Sequence, residues 1–431
     1  MIAALSGLLV LTSGATTLFV DVRSVVPDAD GSQAKPFRTI AAALQAAKDG
    51  DTVELGTGLF TERVVVSKTI TLRGGKASVI AAPDASGTVV ALQAPARLEH
   101  FAVQGGEVGV QASDGARLVD VDFSAQRVAG VRVPAKSKVE IRGGKFAALF
   151  ERRGLYGIEA TEASVRVVGS RFDGPFHWAV YGHIAELDIE DVEIEGALGG
   201  ILFEGFSRGR VVGAVVAQGR GEGITVQLDS KATLREVVVS RWAKGIVVSS
   251  NSEAVVEEAA VGFCEEAGIT VQGESRLQLR HLVYAGPARL AAVAGIASRL
   301  EVIEGVIASP GATGIAVHRG SATVTGTVIR RASTETEGDA LYVEDAQAEV
   351  RGVFAEECSG NGLTLVGGVR AQVLGLEVFR VQGSGIRAEN GVQMQLEGAQ
   401  VLESGTGLSV TGSARVDAQF DRFIHEAVKS R

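Results

Sequence analysis

GITVQLDSKATLREVVVSRWAKGIVVSSNSEAVVEEAAVGFCEEAGITVQGES, residues 223–275, sets down one short phrase three times. Gly-Ile-Thr-Val begins at Gly223, Gly-Ile-Val-Val at Gly245 and Gly-Ile-Thr-Val at Gly268. Extended both ways, the restarts fall at 109, 130, 157, 179, 200, 223, 245, 268, 291, 314, 340, 362, 385 and 407. Most intervals are 21 to 23 residues, with 27 after Gly130 and 26 after Gly314. Ala179, Ala291 and Ala340 stand where the others have Gly, and a recurring Gly suits a turn with an unusual backbone angle.

Side chains alternate along a strand, so the first and third residues after each restart should share one face. They are apolar throughout: Val110/Ala112, Ile158/Ala160, Ile201/Phe203, Ile224/Val226, Ile246/Val248 and Ile269/Val271 are typical. The same rule puts Ala292/Ala294 inward after Ala291 and Leu408/Val410 inward after Gly407. A second short strand follows mid-repeat, as in ATLREVVV and AVVEEAAV. No helical spacing separates the strands, and the Leu/Asn signature of leucine-rich repeats is absent. The pattern predicts an all-β chain folded as a single-stranded parallel β-helix, a solenoid whose coils stack about 4.8 Å apart.

An open solenoid end is an unpaired sheet edge and needs a cover. Thr39 can cap a helix from Ile40 to about Lys48, stopped at Gly50. At the other end DAQFDRFIHEAVKSR puts Phe420, Phe423, Ile424, Ala427 and Val428 on one face of an amphipathic capping helix. The expected organisation is a candidate signal segment at 1–18, a cap and first coils at 19–108, repeats at 109–415 and a C-terminal cap at 416–431. Ile2 to Leu11 suits the apolar core of a secretory signal, although no Lys or Arg precedes Arg23.

The chain has 431 residues, 46% of them hydrophobic, with 55 Gly and 8 Pro, the composition of a packed protein. The net charge of -9 and the lack of a basic patch argue against a nucleic-acid partner. No apolar run is long enough to span a membrane as a helix. Cys264 and Cys358 each lie four residues before a restart, on coils four steps apart. Four steps are roughly 19 Å, which predicts two free thiols.

Residues 27–75, PDADGSQAKPFRTIAAALQAAKDGDTVELGTGLFTERVVVSKTITLRGG, resemble the opening of secreted right-handed parallel β-helix proteins of the pectin lyase-like superfamily. The block Lys35 to Ile40, the run Gly50-Asp51-Thr52-Val53 and the Gly56-Thr57-Gly58 turn before Glu62 carry the resemblance. It implies a right-handed coil and a secreted, periplasmic or cell-surface location. It also implies a function among polysaccharide lyases, hydrolases, epimerases and non-catalytic members. The calcium-binding aspartates of pectate lyases, the Gly-His-Gly and Arg-Ile-Lys motifs of polygalacturonases and the Asp-Pro-His-His motif of alginate epimerases are absent.

Residues two and four after each restart should face outward from one sheet. Glu159, Tyr181, His183, Glu204 and Gln227 fall there on consecutive coils, a set suited to acid–base chemistry, with Glu204 expected to orient His183. Nearby stand Phe172, Phe176, His177 and Trp178, together with Arg152 and Arg153 in the longest interval. Aromatic faces stack on sugar rings and arginines pair with carboxylates. The expected catalytic residues are therefore Tyr181, His183, Glu204 and Glu159. The expected substrate-binding residues are Arg152, Arg153, Phe176, His177, Trp178 and Gln227, with no metal and no cofactor. A weaker group is His318, Arg319, Tyr342 and Glu344. The alternating glycines of GRGEGI at 219–224 read as a turn, since no helix pattern follows. The functional expectation is polysaccharide binding with or without processing; the alternative is a non-catalytic envelope scaffold or adhesion protein that binds another protein.

Overall fold

A computed structural model describes residues 14–333 and 338–419, and the backbone of 422–424. Most repeats contribute three short strands, and from Ala291 on some of these run together into strands of 11 to 13 residues. In the coil beginning near Gly223 the three are Glu222–Gln227, Lys231–Arg235 and Val238–Ser240, members of a first, second and third sheet. Glu222–Gln227 pairs in parallel with Gly199–Glu204 of the coil before and with Lys244–Val248 of the coil after. The second and third sheets repeat that arrangement. Three parallel sheets closed around one core make a β-solenoid. It runs back to Thr17–Val20, the first strand of the described residues, whose first two residues overlap the candidate segment 1–18.

The inward rungs form the core. Ile201, Ile224, Ile246 and Ile269 stack in register and are fully buried. Burying such a side chain contributes about 1.5–3 kcal/mol. Phe123, Phe146 and Phe172 form a second rung, their ring centroids 4.6 Å apart. Trp242 is buried under the neighbouring coil and donates its Nε1–H to the Val216 carbonyl (3.0 Å). Its ring lies over Gly219, where a Cβ would sit 2.0 Å from it, which explains the first glycine of GRGEGI.

Three expectations change. The restart near 291 is Ala292, because Ile269 pairs with Val293 and Val271 with Gly295. Val293 and Gly295 therefore point inward and Ala294 outward; the longer turn before this strand adds one residue. The restart glycines are needed for close approach, not for an unusual angle. A Cβ on Gly223 would lie 2.6 Å from the carbonyl oxygen of Gly245 and 2.8 Å from Val239. Finally, Arg415–Gln419 is a strand, and the backbone of Arg422–Ile424 pairs with Gln400–Leu402, so the chain is extended where a helix was expected. Phe420, Ala427 and Val428 lie outside the described residues.

The expected helix is present as Ile40–Ala46. Thr39 accepts from the Ala42 N–H, and Glu62 accepts from the N–H groups of Ile40 and Ala41 (2.9 and 3.0 Å). Ile40 and Ala43 are buried against the first coils. Among the described residues no helix is long and apolar enough to cross a membrane.

Two further columns matter below. Between the first and second sheets Ser207, Ser230, Ser252 and Ser275 are buried one above another. Each N–H of Ser207, Ser230 and Ser252 donates to the Oγ of the next serine at 3.1 Å. On the third sheet Val215, Val238, Ala260, Val283 and Val306 form an outward column. Its valines are between 41% and 51% exposed.

Candidate functional site

The strands Tyr156–Thr161, Trp178–His183, Gly199–Glu204 and Glu222–Gln227 bring the expected residues together on the first sheet. Glu159 is in register with Tyr181, and His183 with Glu204 and then Gln227. Glu204 is the hub. The Tyr181 hydroxyl donates to its Oε2 at 2.7 Å, and the Gln227 amide donates to its Oε1 at 2.9 Å. His183 Nδ1 stands 3.8 Å from Oε2, too far for a hydrogen bond, and this buried nitrogen has no hydrogen-bond partner. The imidazole lies over Gly205, where a Cβ would meet Nδ1 at 2.7 Å. Tyrosine, and not histidine, thus orients the carboxylate.

Two residues that the column reading did not select complete the group. Arg132, one coil earlier, donates from Nε to Glu159 at 2.7 Å. Tyr156 stacks on Tyr181 with centroids 4.9 Å apart and stands 5.9 Å from the His177 ring. Trp178 lies over Gly199, a position that any Cβ would fill. Tyr156, Trp178 and His177 are half-buried and form an aromatic ledge beside the polar strip. Phe176 does not join it: it is buried in the core, edge-on to Phe172, because its segment turns it under the coil. Arg152 and Arg153 are exposed on the loop before Tyr156. That loop is tied to Arg220 by Glu151 (2.7 Å) and so runs along the edge of the strip. The strip is also shorter than the columns suggest, since Leu202 and Thr225 point outward yet are buried.

Burial first, and then the hydrogen bond to Glu204, pushes the Tyr181 phenol well above its ordinary range. Tyr156 is raised by burial and by the charges of Glu159 and Glu204. Both phenols stay protonated, and Tyr181 donates to Glu204. His177 is lowered, by burial and then by the charge of Arg153. Among the described residues no group of three or more His, Cys, Asp or Glu side chains is placed to hold a metal ion. The assembly can accept hydrogen bonds at Glu204, donate from Gln227, and offer flat aromatic faces.

In the weaker group, unlike the first, the histidine reaches its carboxylate. His318 Nδ1 and Glu344 Oε2 are 2.8 Å apart, and the Tyr342 hydroxyl donates to the same oxygen at 3.3 Å. Arg319 is exposed beside them in a left-handed backbone conformation, φ 58°.

No protein-family model and no curated protein sequence matches the chain. Among solved structures, the A-module of the Azotobacter vinelandii mannuronan C-5 epimerase AlgE6 is similar at 14% identity, over 89% of this chain and 94% of that one, TM-score 0.40. The Siphovirus 9NA tailspike receptor binding domain is 10% identical over 91% and 76%, TM-score 0.39. The pectate lyase Pel9A is 12% identical over 94% and 79%, TM-score 0.28. The chain's own coils are three parallel sheets closed into a β-solenoid.

Proposed function

We propose that this β-helix is an extracytoplasmic polysaccharide-binding protein whose first-sheet strip, from Glu159 to Gln227, holds the glycan. The observation that carries the reading is the Tyr156–Tyr181 stack beside Trp178, set against a Glu204 carboxylate fixed by two donors. Such a surface gives sugar rings an apolar face and their hydroxyls an oriented acceptor. Arg152 and Arg153 would meet acidic substituents from the loop. Binding fits better than acid–base processing. Tyr181 is already a donor to Glu204, and Glu159 is neutralised by Arg132. Of the four residues read as catalytic, His183 alone keeps a side-chain nitrogen without a partner.

The test is a glycan-binding screen with the full chain, followed by Trp178→Ala and Tyr181→Ala. Each variant should weaken the best ligand about tenfold, while His318→Ala should not. Unchanged affinity in both variants for every ligand found would overturn the reading. A second reading, a protein-binding scaffold, is favoured by the exposed valines of the third sheet, since contiguous apolar surface marks contact sites.

A further inference from the structure

We propose that the outer face of the second sheet, from Arg276–Arg280 to Arg415–Gln419, is a separate binding groove for a linear anionic glycan, one bearing carboxylate or sulfate groups. The face is concave over these coils and encloses a groove of about 740 Å³ running from Arg299 to Asp417. One outward column along it reads Arg276, Arg299, Ser321, Gln347, Arg370, Gln393 and Arg415, strand against strand in register.

The charges in this groove are distributed unlike those on the same sheet nearer the N-terminus. There the outward arginines are neutralised from neighbouring coils: Arg166 by Asp188 and Glu190 (2.8 and 2.7 Å), and Arg210 by Asp188 (2.7 Å). Of the two carboxylates lining the groove, Glu349 is engaged elsewhere and Asp417 makes no ion pair among the described residues; Glu301 lies just outside the lining. Glu301 accepts from Gln278 at 2.8 Å, and Glu349 is taken by Arg351 at 2.6 Å. Arg276, Arg299, Arg370 and Arg415 are exposed and make no ion pair among the described residues. Arg276 and Arg299 lie side by side on adjacent coils, a like-charge contact that an outside anion would relieve. Arg299 and Arg370 are three coils apart and Arg370 and Arg415 two, roughly 14 and 10 Å at the coil spacing.

What lies between the arginines selects the ligand. Gln347, Gln372 and Gln393 present amides that both donate and accept, as hydroxyl-rich chains require. No aromatic side chain lines the groove, so it has no platform for stacking unpaired bases. The sheet's regular rise gives an extended chain equivalent contacts at each coil. A guanidinium meets a carboxylate or sulfate in a two-pronged fashion, which a lysine could not reproduce.

The experiment measures affinity of the full chain for dextran sulfate, polygalacturonate, neutral dextran and a single-stranded oligonucleotide. The expected result is tighter binding of one anionic glycan than of either dextran or the oligonucleotide, falling as salt rises. Arg299→Gln/Arg370→Gln should reduce that affinity at least tenfold with an unchanged melting temperature. Trp178→Ala should leave it intact, which separates this groove from the first-sheet strip. The proposal is overturned if the double variant binds like the parent, if dextran binds equally well, or if the oligonucleotide binds tightest.

Discussion

Cys264 and Cys358 are both free and buried, and burial pushes each thiol up to about 11. The thiolate is the reactive form, so the folded protein should scarcely react with iodoacetamide at pH 8. Denaturant should expose both thiols to rapid labelling, detected as two added groups by mass spectrometry; prompt labelling of the native chain would contradict the buried placement. His177 argues in the opposite direction of pH. Its depressed value means the unfolded chain holds more protons as pH drops, so its contribution to stability is present above the ordinary histidine range and fades on acidification through the folded value. The melting temperature should therefore fall between pH 7 and pH 5, and fall less in His177→Gln. At this scale the sequence was only partly readable. Glu159, Tyr181, His183, Glu204 and Gln227 followed from spacing alone. Tyr156 did not, because strict alternation would send it inward with Ile158. The pairing of its strand skips Gly157, and the ring emerges outside over Tyr181. Nor could spacing tell which donor reaches Glu204, since that depends on rotamers.

Strands, turns and columns were legible wherever the apolar period was unbroken. The first strand of the coil at Gly223 and the helix from Ile40 occur where the pattern puts them, whereas ATLREVVV, read as one strand, is divided between Lys231–Arg235 and Val238–Ser240. The misplacement at Ala291 arose because two alanines adjoin there and either can start the phrase; only pairing with Ile269 decides. The reason for the recurring Gly was also hidden, since a steric contact with the next coil leaves no mark within one repeat. That contact makes Gly223→Ala a sharp probe: its methyl would press on the Gly245 carbonyl, and we expect a loss of about 1–3 kcal/mol by urea titration. The serine column gives a second probe. Ser252→Ala strands the buried N–H of Ser230, and leaving such a donor unsatisfied costs about 1–3 kcal/mol. Loss of less than half a kcal/mol would mean that another acceptor replaces the hydroxyl.

Over the whole chain, each coil is supported chiefly by the one before and the one after. A charge placed in the stack cannot be diluted into a larger core. Ile246→Asp puts a carboxylate between Ile224 and Ile269, all three positions fully buried, and should cost several kcal/mol. Its urea midpoint should drop sharply while a surface change such as Glu236→Gln leaves it in place. The strip and the groove sit on one rigid axis, and the regular stacking of coils makes that axis a ruler. Residues 245–267 fill a single coil between them, and Lys244 already occupies the register position that Ala267 would vacate. Excising that coil should bring the two surfaces nearer by about 4.8 Å with their strands still in register, whereas a deletion of half a coil would set the strands of one sheet where those of another belong. A polymer that touches both surfaces would sense the first change as altered reach, with each surface still intact.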